Sequence, residues 1–194
     1  ASTTPIVTEA LPLPELVIEG HLPPRNKVVP LDMSALPDDF THWPEFHNGA
    51  AVGLRVAPAQ GDVGRTWIVY NRPAQLNFTH SGFLFALGLQ GHLAALSVAD
   101  FYWYLYQNHA ATTVGILLGA AASKRCSMDT VLTKMLSIHV PALLPQGIPV
   151  EIPSIVQTAA LLGIGLLYQG SAHRLMTELL LNEIGRRPTS DKHM

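Results

Sequence analysis

Along this chain the apolar and small residues recur in one repeating form: a short run of them, a glycine, then another small or apolar residue. It reads His47-Asn-Gly-Ala-Ala-Val-Gly-Leu54, Gly82-Phe-Leu-Phe-Ala-Leu-Gly-Leu89, Thr113-Val-Gly-Ile-Leu-Leu-Gly-Ala120 and Ala159-Ala-Leu-Leu-Gly-Ile-Gly-Leu166. With Gly53, Gly88, Gly119 and Gly165 in register, the spacings are 35, 31 and 46 residues. Self-similarity at that period is the signature of a helical-repeat array. Small residues on a helix let a neighbouring backbone come close. Each copy therefore predicts the inner helix of a stacked pair, with these four glycines as helix-packing contact points.

Between the copies the pattern becomes more amphipathic. A first helix starts at His42-Trp-Pro-Glu-Phe, where Pro44 suits the first turn and Glu45 the positive helix end, and runs to about Val56. Thr66-Trp-Ile-Val-Tyr70 is β-branched and aromatic, which predicts an extended piece or short strand; a distorted outer helix of the first pair is the other reading. Three helix pairs follow, at roughly 79–93 with 97–108, 111–124 with 127–139, and 154–169 with 171–184. Ser97-Val-Ala-Asp100 has the form of a capping box, and Val98, Phe101 and Leu105 share one face. Ser127 is expected to cap the next outer helix, with Asp129 in its first turn and a stripe of Met128, Val131, Leu132, Met135 and Leu136. The last helix carries Ala172, Leu175, Met176, Leu179, Leu180 and Ile184 on its apolar face, and Gly185 as a C-terminal cap. Arg174 and Glu178 form an outward i,i+4 pair.

Two stretches break the pattern. Residues 1–41 read as an extended Pro-rich connecting arm. Eight of the fifteen prolines fall in residues 1–45, which excludes a long helix there; Leu16-Val-Ile and Lys27-Val-Val are expected as short edge strands or extended chain. Val140–Pro153, with Pro141, Pro145, Pro149 and Pro153, reads as an insertion between repeats, and insertions of this kind collect on one face and often serve binding. Pro141 and Pro145 are thus candidate partner contacts, as are the basic pairs Lys124-Arg125 and Arg186-Arg187. The array is assigned to 42–187 and a tail to 188–194.

Composition agrees with a chain meant to be covered. Charged residues are 13% of it and the mean hydropathy is +0.24, against about 25% charged in an average soluble domain. The net charge of -2 leaves no basic footprint for nucleic acid. The single Cys126 excludes an intrachain disulfide and suits a reducing, intracellular compartment. Ala1-Ser-Thr-Thr carries no signal pattern, and the chain reads as a piece of something longer.

Chemistry is harder to find. Gly163-Ile-Gly165 with Gly170 lacks the spacing and the preceding strand of a dinucleotide fingerprint. Gly119-Ala-Ala-Ala-Ser-Lys124 sits mid-helix, where backbone N–H groups cannot cradle a phosphate. Ser171 lies in no nucleophile elbow and reads as a helix cap. The nine histidines include no helical i,i+4 pair and the lone cysteine supplies no second ligand, so no metal site is expected. His92 and His109 are expected as caps or surface residues. No catalytic constellation and no cofactor are expected. The uncharged windows Phe101–Ser123 and Ile152–Ala172 match a membrane span in length. The second has only Thr158–Tyr168 as continuous apolar core and the first is broken by Gln107-Asn108-His109, so buried stacked helices explain both.

Longer strings carry a resemblance. Trp43-Pro-Glu-Phe-His-Asn-Gly49, Gly82-Phe-Leu-Phe-Ala-Leu-Gly-Leu-Gln-Gly-His-Leu93, Thr133-Lys-Met-Leu-Ser-Ile-His139 and Gly165-Leu-Leu-Tyr-Gln-Gly-Ser-Ala-His-Arg174 cover most of 43–187, together with Glu183-Ile-Gly-Arg186. The chain resembles the proteasome/cyclosome repeats of large scaffold subunits, those of the anaphase-promoting complex more than those of the proteasome regulatory particle. The resemblance implies an all-α toroid segment and a noncatalytic platform. It further implies contacts with a cullin/RING module, tetratricopeptide-repeat subunits, a substrate-receptor side and the rest of a longer chain, in nucleus and cytoplasm.

Overall fold

The structure is a computed structural model and describes residues 13–32, 34, 36–37, 39–56, 63–145 and 151–184. Gly185, Arg186, Arg187 and the tail 188–194 lie outside the described residues. An antiparallel hairpin comes first, β1 (Glu19–Leu22) against β2 (Lys27–Pro30), in the register Gly20↔Val29 and His21↔Val28. Lys27-Val-Val falls on β2. Leu16–Ile18 is extended chain ahead of β1, held by the Leu31 N–H donating to the Ile18 carbonyl at 3.2 Å. Both strands are exposed on both faces.

Among the described residues after 41, all regular structure is helical. The helices are α1 (His42–Gly53), α2 (Arg65–Tyr70), α3 (Phe78–Leu89), α4 (Val98–Tyr106), α5 (Ala110–Ser123), α6 (Thr130–Ser137), α7 (Ser154–Leu167) and α8 (Arg174–Ile184). Short 3₁₀ turns add His92–Ala95 and Pro141–Leu143. Side-chain caps set most starts. Asn77 accepts from the His80 N–H at 2.7 Å, Ser97 and Asp100 close the capping box, and Asp129 accepts from the Leu132 N–H at 2.8 Å. Each satisfies an amide that a helix start leaves without an intrahelical partner.

Helices α1, α3, α5 and α7 pack in sequence as one row, α1 on α3, α3 on α5, α5 on α7. The more amphipathic α4, α6 and α8 contact the row from outside it. This is an all-α helical-repeat segment with one small hairpin attached. Its centre is α3, where His80, Ser81, Phe83, Leu84 and Leu87 are all buried, as a helix surrounded by neighbours must be.

Several boundaries and faces differ from the sequence expectation, each for a local reason. Thr66–Tyr70 takes the helical of its two readings: no strand among the described residues pairs with it, and Ile68, fully buried, anchors one helical turn in the core. Tertiary burial here overrides β propensity. Helix α1 stops at Gly53, short of Val56. Asp129, not Ser127, caps α6, while Ser127 accepts from the Asp129 N–H at 3.3 Å. Ser171 donates to the Tyr168 carbonyl at 2.7 Å and so finishes α7; Ala172 has φ 53° and α8 begins only at Arg174. On α4 the buried face is Asp100, Phe101 and Tyr104, with Val98 exposed. Met128, Val131, Leu175 and Ile184 are likewise exposed.

The glycines separate into two kinds. A Cβ on Gly88 would run into the backbone of Gly119, one on Gly82 into the Phe46 carbonyl, one on Gly49 into the Thr79 carbonyl and one on Gly115 into the Ser81 carbonyl. At Gly53 it would stand 2.6 Å from the Ala86 Cβ, and at Gly119 2.9 Å from Leu93 Cδ1. Gly165 departs from this series: a Cβ there meets nothing within 4 Å, and the close approach on α7 belongs to Gly163, 2.8 Å from Leu136 Cδ2. Gly88→Ala should therefore lower stability by about 2 kcal/mol through overpacking, whereas Gly165→Ala should be neutral or add up to about 1 kcal/mol by helix propensity. Equal losses in urea unfolding of the two variants would refute this distinction.

Candidate interaction surfaces

Polar groups fasten the outer helices α2 and α4 to one another. Arg65 of α2 forms a two-pronged pair with Asp100 of α4, Nε to Oδ2 at 2.6 Å and Nη2 to Oδ1 at 2.8 Å. The same carboxylate accepts from the Ser97 N–H at 2.9 Å and the Ser97 hydroxyl at 2.5 Å. Arg65 and Ser97 hold the Asp100 carboxyl well below the usual carboxylate range, against the opposing effect of burial. One buried side chain thus caps α4 and ties α2 to it. Asp100→Ala removes both, with an expected loss of about 2 kcal/mol, read as a lower urea midpoint; an unchanged midpoint would show that the pair holds nothing.

Behind it lies a wedge of rings. The Arg72 guanidinium stacks 3.7 Å over Trp103 and 4.5 Å over Tyr104, a cation–π arrangement. His80 Nε2 lies 3.4 Å from the Tyr104 hydroxyl. Burial, aided by the Arg72 charge, pushes His80 down to about 4, and burial pushes the Tyr104 hydroxyl up. His80 is therefore neutral at physiological pH and enclosed, which suits packing. His109 accepts from the Thr112 N–H through Nδ1 at 3.2 Å, capping α5 as expected. Burial, aided by His42, lowers its pKa, and burial alone lowers that of His139. His92, by contrast, is buried in its 3₁₀ turn.

The sign of the pH effect follows. Between the unfolded value of 6.5 and the folded value of about 4, His80 binds more protons when unfolded. Its contribution is present above pH 6.5 and is lost as pH falls through that window, on the order of 3 kcal/mol. Urea midpoints measured from pH 7 to pH 4 should fall less steeply in His80→Leu than in the parent chain. Parallel pH profiles would exclude His80 as the source.

One open surface among the described residues is apolar. A trough of about 610 Å³ runs across three inner helices, lined by Phe85 and Leu89 of α3, Leu118 of α5, and Leu162, Gly165 and Leu166 of α7. Leu180 and Ile184 of α8 also line it. Leu89 and Leu162 are half exposed and Ile184 is 82% exposed. Sequence reasoning placed Gly165 at a helix contact; it lines this trough. The trough residues were hidden in the repeats because their periodicity also fits a buried helix.

The other candidate residues lie apart from it. Pro141 opens a 3₁₀ turn and is half-buried, and Pro145 is exposed at the edge of the described loop. Lys124 is half-buried and bonded to Asp129 at 2.7 Å, so it is not a free surface cation; Arg125 is exposed. Among the described residues, no three His, Cys, Asp or Glu side chains gather as a metal site requires. No helix among them is long and apolar enough to cross a membrane.

Stacked helix pairs, with buried polar links between the outer helices α2 and α4 and an open apolar trough along the inner row, define a helical-repeat segment. Family models locate it further. Residues 1–125 match the model described as "APC1 fourth domain" and residues 130–194 that described as "APC1 fifth domain". The chain belongs to the family of anaphase-promoting complex subunit 1. It is similar to the proteins of that name from Homo sapiens (48% identical over 189 residues, 95% of this chain), Arabidopsis thaliana (48% over 186 residues, 94%) and Dictyostelium discoideum (44% over 192 residues, 98%). The aligned part covers 10%, 11% and 8% of those relatives' own lengths, so the chain spans about a tenth of the curated relatives it matches.

Proposed function

We propose that this chain is a noncatalytic scaffold segment of the anaphase-promoting complex, a cullin–RING ubiquitin ligase of the cell cycle, and positions other subunits by protein–protein contact. The observation that carries the proposal is the open apolar trough across α3, α5 and α7, in a chain whose family is that of subunit 1. A concave apolar surface shared by neighbouring inner helices is the kind of feature that receives another protein segment. Its partners on this reading are the cullin/RING module, the tetratricopeptide-repeat subunits, the substrate-receptor side and the remainder of its own longer chain, in nucleus and cytoplasm. Residues 1–41 serve as connecting arm, 42–187 as the start of the array and 188–194 as a tail. Nucleic acid and membrane have no part in it.

Array physics supports the role: each unit contacts mainly its neighbours, so an uncovered inner helix leaves a stacking face bare. The α7 side is such a face, and the purified chain should self-associate through it. Leu162→Glu should return it to monomer in light scattering, and a clean monomer of the unaltered chain at high concentration would count against an exposed stacking face. Partner identity is tested by affinity purification of a tagged family-length protein. Recovery of anaphase-promoting complex subunits supports the assignment; recovery of proteasome regulatory-particle subunits instead would overturn it.

A further inference from the structure

Outer helices turn one side toward the row and one toward solvent, and α4 differs from α6 and α8 in what it turns outward. Its buried residues are Asp100, Phe101 and Tyr104. On the other side, at helical spacing, stand Val98, Tyr102 and Tyr106, the first two half exposed and Tyr106 89% exposed. Trp103 beside them is partly exposed. A helix side that faces water ordinarily carries charge. Exposed Lys134 supplies it on α6, and exposed Arg174 and Glu178 supply it on α8. The solvent side of α4 has none, because its single charged residue, Asp100, is buried.

Against these rings lies a cation without a counter-charge. From Val63 to His109 the formally charged residues are Arg65, Arg72 and Asp100, and Arg65 takes Asp100. Arg72 is left as a net positive charge stacked on Trp103. Its Nε and Nη2 are buried and meet no acceptor among the described residues, and neither does Trp67 Nε1 in the same wedge. A cation that is not neutralised acts over a longer range in a low-dielectric setting than in water, and His80 feels this one. Binding hot spots are enriched in Tyr, Trp and Arg, and the strong partner of a guanidinium is a carboxylate.

We propose that Val98, Tyr102, Trp103 and Tyr106, with Arg72 stacked on Trp103, form a docking face for a segment of another protein chain that sets an Asp or Glu carboxylate beside apolar side chains. The rings supply the apolar contact, and Arg72 supplies the charge that selects an acidic segment over a neutral or basic one. The face lies along one side of an outer helix, so it does not depend on how many repeats precede or follow. It rests on the scaffold reading above and adds a second surface, apart from the trough, with its own chemistry.

Photocrosslinking tests it in a tagged family-length protein, with p-benzoylphenylalanine replacing Tyr106 and the protein irradiated together with the subunits that co-purify. The expected adduct joins that position to a segment of a different polypeptide holding an Asp or Glu next to apolar residues. Its yield should fall about tenfold in Arg72→Met, through loss of one charged contact, and should also fall in Tyr102→Ser. Tyr102 lies at the surface, so Tyr102→Ser decides the matter even if Arg72→Met does not fold. The proposal is overturned by no adduct, by an adduct only within the same chain, or by a labelled segment without a carboxylate. An unchanged yield in Arg72→Met, or in Tyr102→Ser where Arg72→Met does not fold, overturns it as well. Co-purification of the complex subunits without any adduct would remove this face alone and leave the scaffold reading standing.

Discussion

Helices α3 and α5 approach until the backbone of Gly88 lies against that of Gly119, leaving no room for a Cβ. That contact constrains the rest. Backbone on backbone fixes the helix separation more rigidly than side chains do, because a side chain can change rotamer and a peptide unit cannot. The same device joins α1 to α3, where Gly49 and Gly82 face the carbonyls of Thr79 and Phe46. With the inner row spaced so closely, α3 and α5 bury most of their residues, and little of their surface can carry charge. The low charge content of the chain is a consequence of this spacing.

The outer helices face the opposite problem. They are short, six to nine residues in α2, α6 and α4, and isolated helices of that length are not stable in water. Buried polar anchors hold α2 and α4 to one another and to the row. Asp100 is the main one, serving at once as capping residue and as partner to Arg65. Arg72 over Trp103 and Tyr104 adds a second link. Because Asp100 is satisfied by four polar contacts, its burial does not carry the cost of an unpaired charge.

How much of this was legible in the sequence depended on the kind of force involved. The repeat, the helix pairs, the Ser97–Asp100 capping box and the Arg174–Glu178 pair, 2.7 Å apart in the structure, are local or periodic, and a linear pattern records such features. The ion pair of Arg65 with Asp100 joins residues far apart in sequence and leaves no periodic trace. For α2 the sequence left two readings open, extended chain or an outer helix, because its composition favours a strand and only tertiary burial of Ile68 decides for the helix. Gly165 shows the limit most clearly. It stands in register with three glycines that meet neighbouring residues, yet register reports only which side of a helix a residue occupies. Whether another element lies on that side is a property of the array.

The same distinction separates the joints within the row. At α1–α3 and α3–α5 glycine meets backbone, but at α5–α7 Gly163 meets the Leu136 side chain at 2.8 Å and the Ala121 Cβ at 3.4 Å. The family models part in the turn that follows α5, between residues 125 and 130, ahead of that looser joint. A helix wedged by a leucine side chain has rotamers through which to yield, and one seated on a peptide unit has none. The Val140–Pro153 insertion belongs to this joint as well, since it lengthens the connection between α6 and α7. Through the first three inner helices glycine meets backbone, whereas at the step to α7 Gly163 meets side chains and the backbone link is a pair of hydrogen bonds, from the Cys126 and Met128 N–H groups to the Leu166 and Leu167 carbonyls at 3.1 Å each. The trough spans that step, with Phe85 and Leu118 on one side and Leu162 and Leu166 on the other, so its shape depends on how α7 is seated against α5 as well as on the residues that line it.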